Sequence, residues 1–185
     1  MTYIAYDGTQ FDNLECCEKY NNKLKEKYSI NNTDPIYLLS DEEYRYYKKI
    51  IPLIPAVWWL RSFGYNSDYA AVVSATGSID ADGFGIIHDC IGVRPVLNLE
   101  HLKPKIDITH YPLINNGFPY RFAWAGAIWR TLEADKIAIA EMPIFYSEFD
   151  GESNNYESSF IRNKLLQWYN SRVSNHFIVQ EVMGL

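Results

Sequence analysis

The chain has 185 residues, 48% of them hydrophobic and 16% aromatic, with a formal net charge of -6. Such a composition excludes a disordered chain, and the length lets one compact domain bury a core without disulfides. The negative balance argues against a nonspecific nucleic-acid binder, which needs a basic face to displace counterions.

Cysteine usage and the ends of the chain set the expected compartment. The three cysteines are Cys16, Cys17 and Cys90, an odd number with two adjacent, which is no disulfide framework. Met1–Asp7 has no basic region and no long apolar run, and no stretch reaches the length of a membrane span. The expectation is a soluble, cytoplasmic protein.

Residues 1–32 read as a small β-hairpin–helix module. Thr2–Tyr6 alternates and ends at the turn pair Asp7-Gly8. Asp12 and Glu15 have capping-box spacing, and Leu14, Cys17, Tyr20, Leu24 and Tyr28 follow helical spacing. Asn31–Pro35 is the first candidate linker.

Residues 33–185 read as a single α+β domain. Ile36–Leu39 is a short buried strand. Ser40 and Glu43 form a capping box for a helix whose inner stripe is Tyr44, Tyr47 and Ile51, stopped by Pro52 and Pro55. Tyr69–Ala75 and Ser78–Asp80 flank Thr76-Gly77 as a hairpin. Val93, Pro95, Leu97 and Leu99 alternate with polar and small neighbours, and Pro95 places that strand at an edge or a bulge. Residues 101–122 read as irregular. Ala127–Leu132 and Lys136–Glu141 form a second hairpin. A polar loop, Phe149–Asn155, leads to a helix from about Ser158 to Arg172, with Ile161, Leu165, Trp168 and Arg172 on one stripe and the Trp168 ring docked on the sheet.

The segments Trp58-Trp59-Leu60-Arg61-Ser62 and Gly92-Val93-Arg94-Pro95-Val96-Leu97, with the hairpin between them, resemble a bacterial and phage domain-of-unknown-function family. That family is similar in pattern to C-type-lectin-like sandwiches, which include relatives of the formylglycine-generating enzyme. Trp129–Leu132, Ile137–Glu141 and the run Ser158–Asn170, which contains Arg162 and Trp168, resemble the family's second block. Here that block follows the first instead of preceding it, an order that either a circular permutation or one complete half-domain plus a truncated second copy explains. Phe63 stands where the family commonly has proline. The first thirty residues separately resemble the start of small phage proteins. The resemblance implies a C-type-lectin-like, twisted, mainly antiparallel sheet with packed helices.

Arg61 and Arg94 are the sharpest chemical candidates. They either converge on an anionic ligand or tie loops to the sheet through backbone carbonyls or Asp68, Asp80 or Asp89, and the structural role is preferred. Trp59, Trp129, Arg162 and Trp168 are read as structural too. His88-Asp89-Cys90 holds three ligand types on neighbouring positions that alternate faces, so a metal site is not expected. Cys90 has no partner for oxidase chemistry. No cofactor and no catalytic residue is expected. The leading expectation is a non-enzymatic protein-binding module of a phage or mobile element, inhibiting a basic host defence nuclease as anti-CRISPR proteins do. Its contact residues are expected to be Tyr20, Tyr28, Glu148, Asp150, Glu152, Tyr156 and Glu157. Contact with nucleic acid itself or with a membrane is not expected. The alternatives are a lectin-like glycan-binding module and a hydrolase or nuclease built on Glu148, Asp150 and Glu152.

Overall fold

The computed structural model describes residues 2–4, 10–20, 33–102, 113–115, 121–133 and 136–183. The fold is α+β and its sheets are mostly antiparallel. No described helix is long and apolar enough to cross a membrane.

The N-terminal strands β1 (Tyr3–Ile4) and β2 (Gln10–Phe11) pair antiparallel. Residues 14–20 then form helix α1. Its cap is Asn13 and not Asp12: Asn13 Oδ1 accepts from the Glu15 N–H at 2.7 Å and the Cys16 N–H at 3.3 Å. Cys17 is buried, whereas Leu14 faces solvent. The Asp7-Gly8 turn, Leu24 and Tyr28 lie outside the described residues.

A six-stranded antiparallel sheet runs β3 (Ile36–Tyr37), β8 (Val96–Asn98), β12 (Ile137–Ala140), β11 (Ala127–Glu133), β10 (Arg121–Trp124) and β9 (Leu113–Asn115). The second, five-stranded sheet runs β13 (Phe145–Tyr146), β7 (Gly92–Val93), β4 (Trp58–Phe63), β5 (Tyr69–Val73) and β6 (Ile79–Gly85). Its β4–β7 pair is parallel and its other pairs are antiparallel. The stretch expected to be irregular, 101–122, contains the end of α3 (Leu99–Leu102), all of β9 and the start of β10. β9 is three residues long and takes its register from β10, a partner that local sequence does not announce.

Pro95 is not at a sheet edge. The chain leaves one sheet after Val93 and enters the other at Val96, so the proline sits at the crossing, where no ladder bond is required of its nitrogen. The chain from β12 to β13 makes the same crossing alongside it, antiparallel. The Ala140 N–H donates to the Pro95 carbonyl at 3.0 Å and the Ile144 N–H to the Val93 carbonyl at 2.9 Å. One two-chain ribbon therefore stitches both sheets together.

Helix α2 (Asp41–Tyr47) begins with the full capping box: Ser40 Oγ accepts from the Glu43 N–H and Glu43 accepts from the Ser40 N–H. It ends one turn before the prolines, and a hydrogen-bonded turn carries the chain to buried Ile51. Tyr44, Tyr46 and Tyr47 are all buried, since this short helix is covered on more than one side. A 3-10 turn (Tyr156–Ser158) leads into α4 (Phe160–Met183). The buried stripe of α4 is Ile161, Leu165, Tyr169 and Val173. Trp168 lies at its border, its ring 5.8 Å from Trp124 and 6.3 Å from Trp129 on the sheet.

Candidate docking face

Both internal arginines are committed to the fold. Arg94 is 1% exposed, placed where the two sheets cross. Its Nε donates to the Ala140 carbonyl at 2.8 Å, its Nη1 to the Pro52 carbonyl at 3.2 Å, and its guanidinium lies 5.2 Å from the Trp58 ring centre. Burial pushes this guanidinium down to about 10, offset in part by Tyr44 and Glu141. Carbonyls and a π face take the place of a carboxylate.

Arg61 uses a carboxylate that sequence spacing did not single out. Its Nη2 meets Glu43 at 2.8 Å, and its Nε donates to the Leu38 carbonyl at 3.0 Å. Asp68, Asp80 and Asp89 are not its partners. The next residue, Ser62, exchanges hydrogen bonds with Asp41 at 2.9 Å. The polar half of Trp58-Trp59-Leu60-Arg61-Ser62 thus grips the first turn of α2, and the apolar half fills the core. Nearby, the buried Tyr47 hydroxyl donates to Glu133. Burial and the Glu133 charge hold the Tyr47 phenol well above its ordinary value. Burial, followed by the Glu43 charge, raises Tyr37 in the same way.

The remaining residues read as structural have definite places. Trp59 is fully buried and donates Nε1–H to the Ser147 carbonyl at 2.8 Å. Trp129, also buried, donates to the Trp124 carbonyl at 3.0 Å. Arg162 forks onto Asp34, Nε to Oδ2 at 2.8 Å and Nη2 to Oδ1 at 3.0 Å. This pair pins the supposed linker to the start of α4.

The candidate contact residues do not form one surface. Tyr156 is 4% exposed and its hydroxyl accepts the Leu38 N–H, so it belongs to the interior and not to a contact face. Asp150 turns toward its own loop: one oxygen accepts from the N–H groups of Glu152 and Ser153, the other from Phe160 at the start of α4. Partial burial acts to raise its carboxyl, but these backbone donors outweigh it and hold the group below the ordinary range. Tyr20 is half-buried, against Phe11 and the main core. Glu148 is half-buried, while Glu152 and Glu157 are exposed. Glu157 lies 3.6 Å from Arg162. Tyr28 lies outside the described residues.

A different surface gathers around the open end of β4, β5 and β6. Phe63, Ala70 and Phe84 stand in register across the three strands. Phe63 is 67% exposed, Tyr65 78% and Ile87 67%, with Tyr69 and Phe84 also exposed. Exposed large apolar side chains grouped in this way mark an interaction surface more than scattered ones do. Between Arg61 and Arg94 the chain has four aspartates, Asp68, Asp80, Asp82 and Asp89, and no lysine or arginine. All four face solvent. The loop carrying Glu152 is fastened beside them: Phe149 N–H reaches the Ile86 carbonyl at 2.7 Å, and the Asn154 amide reaches the Asn66 and Tyr69 carbonyls at 2.9 and 2.8 Å.

Sequence reasoning placed the candidate contact on the N-terminal unit and the Glu148–Glu157 loop and did not single out the β5–β6 surface. The cation-free run from Ser62 to Val93 was the available signal. β6 itself is bulged: the four-residue step from Asp80 to Phe84 lies opposite the two-residue step from Ala70 to Val72 on β5. At the bulge Gly83 adopts φ +79°, and a Cβ there would sit 2.1 Å from the Ala70 carbonyl oxygen. The bulge and its aspartates disfavour strand addition at this edge.

Among the described residues no group of three histidines, cysteines or carboxylates is placed to hold a metal ion. Comparison with protein-family models, with curated proteins and with solved structures yields no match.

Proposed function

We propose that this protein is a non-enzymatic protein-binding module whose partner presents a basic surface. The observation that carries the reading is the segment around the end of β4, β5 and β6, where exposed aromatic and aliphatic side chains and four exposed aspartates occur with no lysine or arginine between Ser62 and Val93. The two arginines that could have served an anionic ligand are occupied by carbonyls, Glu43 and Trp58. The scaffold is proposed to be C-type-lectin-like: two sheets joined by a shared ribbon. Its block order is read as circularly permuted.

The partner class proposed is a protein with a lysine- and arginine-lined nucleic-acid channel, such as a defence nuclease facing a phage or mobile element. An acidic, aromatic-studded face fits such a channel because it replaces the phosphates there and adds apolar contact. The test is a cleavage assay with purified bacterial defence nucleases, CRISPR effector complexes included, into which the protein is titrated. Stoichiometric inhibition, relieved by the double change Phe63→Ser with Phe84→Ser, is the expected result. Retained inhibition in that variant refutes the docking face. Specific glycan binding with no effect on any nuclease refutes the function.

A further inference from the structure

We propose that the cleft between the base of the β5–β6 hairpin and the loop after β13 seats a lysine or arginine side chain of a basic protein partner. This inference rests on the docking function above and names the chemistry of its anchor. The cleft has a volume of about 400 Å³ and opens beside Ile87 and His88, whose ring centre lies 6.1 Å from that of Phe84. Ile87 and Tyr69 supply exposed apolar and aromatic wall, and Asp68 and Glu152 both line the cleft.

The occupant follows from what a long cationic side chain needs. Its methylene stem requires apolar surface, which the exposed Ile87 offers. Its charged head gains from carboxylate acceptors and from an aromatic ring, which Asp68, Glu152 and Tyr69 offer. No lysine or arginine of this chain competes: none lines the cleft, where His88 is the basic side chain, and no ion pair to either carboxylate occurs among the described residues. An anionic or purely apolar ligand would bring like charge against the carboxylates or leave them desolvated.

The walls are also fixed in advance. Asp150 and Asn154 hold the Glu152 loop through five hydrogen bonds, three onto the carboxylate and two from the amide. The Ile86 N–H donates to the Asp68 carbonyl at 2.9 Å, tying the Asp68 wall together. A preorganised cleft loses little conformational freedom on binding, which is where a hot spot gains its affinity. Another cleft, about 470 Å³ between the β10–β11 turn and α4, offers no carboxylate free of an ion pair, because Glu141 is already held by Arg121 and Arg130.

The test uses fluorescein-labelled hexa-arginine and hexa-lysine, followed by anisotropy in roughly 50 mM salt to limit screening. The cleft variant is Asp68→Asn with Glu152→Gln, and a charge-matched control is Glu18→Gln with Glu100→Gln. Loss of two charge-assisted contacts predicts affinity at least about tenfold weaker in the cleft variant, with the control nearly unchanged. Amide and ring resonances of Tyr69, Ile87 and His88 should shift on titration with peptide. Equal weakening in both variants, or undiminished binding in the cleft variant, overturns the proposal. Nuclease inhibition that is lost with the Phe63 and Phe84 changes but kept in the cleft variant overturns the cleft and leaves the docking function standing. Peptide binding lost only in the cleft variant, with no nuclease inhibited, supports the cleft and removes the function.

Discussion

Replacing Arg61 by methionine isolates the contribution of the ion pair beneath the first turn of α2. The side chain is only partly exposed, but its partner Glu43 is fully buried, with the Ser40 N–H at 2.7 Å as its other donor. Methionine keeps much of the packing volume and removes the charge, so the carboxylate is left in the interior without a counter-ion. Breaking a buried pair in this way costs about 3–5 kcal/mol. For a chain of this size each kcal/mol shifts Tm by about 2–4 °C, which gives a fall of about 6–20 °C. Adding Glu43→Gln to the same chain removes the stranded charge and keeps an acceptor for Ser40, and should restore about 2 kcal/mol. Urea unfolding, followed by tryptophan fluorescence and by circular dichroism, measures both variants. A single variant within about 1 kcal/mol of wild type, or a double variant no more stable than the single one, would refute the reasoning.

Arg94→Lys should cost about 2–3 kcal/mol in the same assay, because an ammonium cannot reproduce the fork onto Ala140 and Pro52 while lying over Trp58. Ala125 takes φ +53° beside Gly126 at φ +80°, a turn that favours asparagine first; Ala125→Asn should gain about 0.5–1 kcal/mol, read as a higher urea midpoint. Gly83→Ala should lose at least about 1–3 kcal/mol, through the positive φ and the clash with the Ala70 carbonyl, seen as a lowered Tm. The Asp150 carboxyl sits below its ordinary value of 3.8, so its stabilisation is present above that pH and is lost as pH falls through the lower folded value. Asp150→Asn should therefore flatten the drop in stability between about pH 5 and pH 2, measured by thermal melts across that range.

Local signals in the sequence determined the elements whose cause is local. The Ser40–Glu43 capping box, the Thr76-Gly77 turn and the two hairpins each arise from residues within a few positions of one another. The α+β class follows from the same patterns. The inner stripe of the last helix was legible in Ile161 and Leu165 but drifted onto Trp168 and Arg172. Tyr169 and Val173 are the buried members, and only the sheet beneath decides which side of a tryptophan-rich helix is inside.

Tertiary structure alone decided the pairings between distant residues. Nothing within a few positions of Arg61 names Glu43, which lies on another element and is brought in by the β4–α2 packing. Pro95 reads as an edge residue because it lacks an N–H, yet that lack is equally harmless where a chain passes between sheets. The acids of the 148–157 loop looked alike in sequence. Hydrogen bonding turned Asp150 inward and left Glu152 facing the cleft, while Tyr156 went into the core. Charge and residue type are local properties, but which groups face water depends on contacts made across the whole chain.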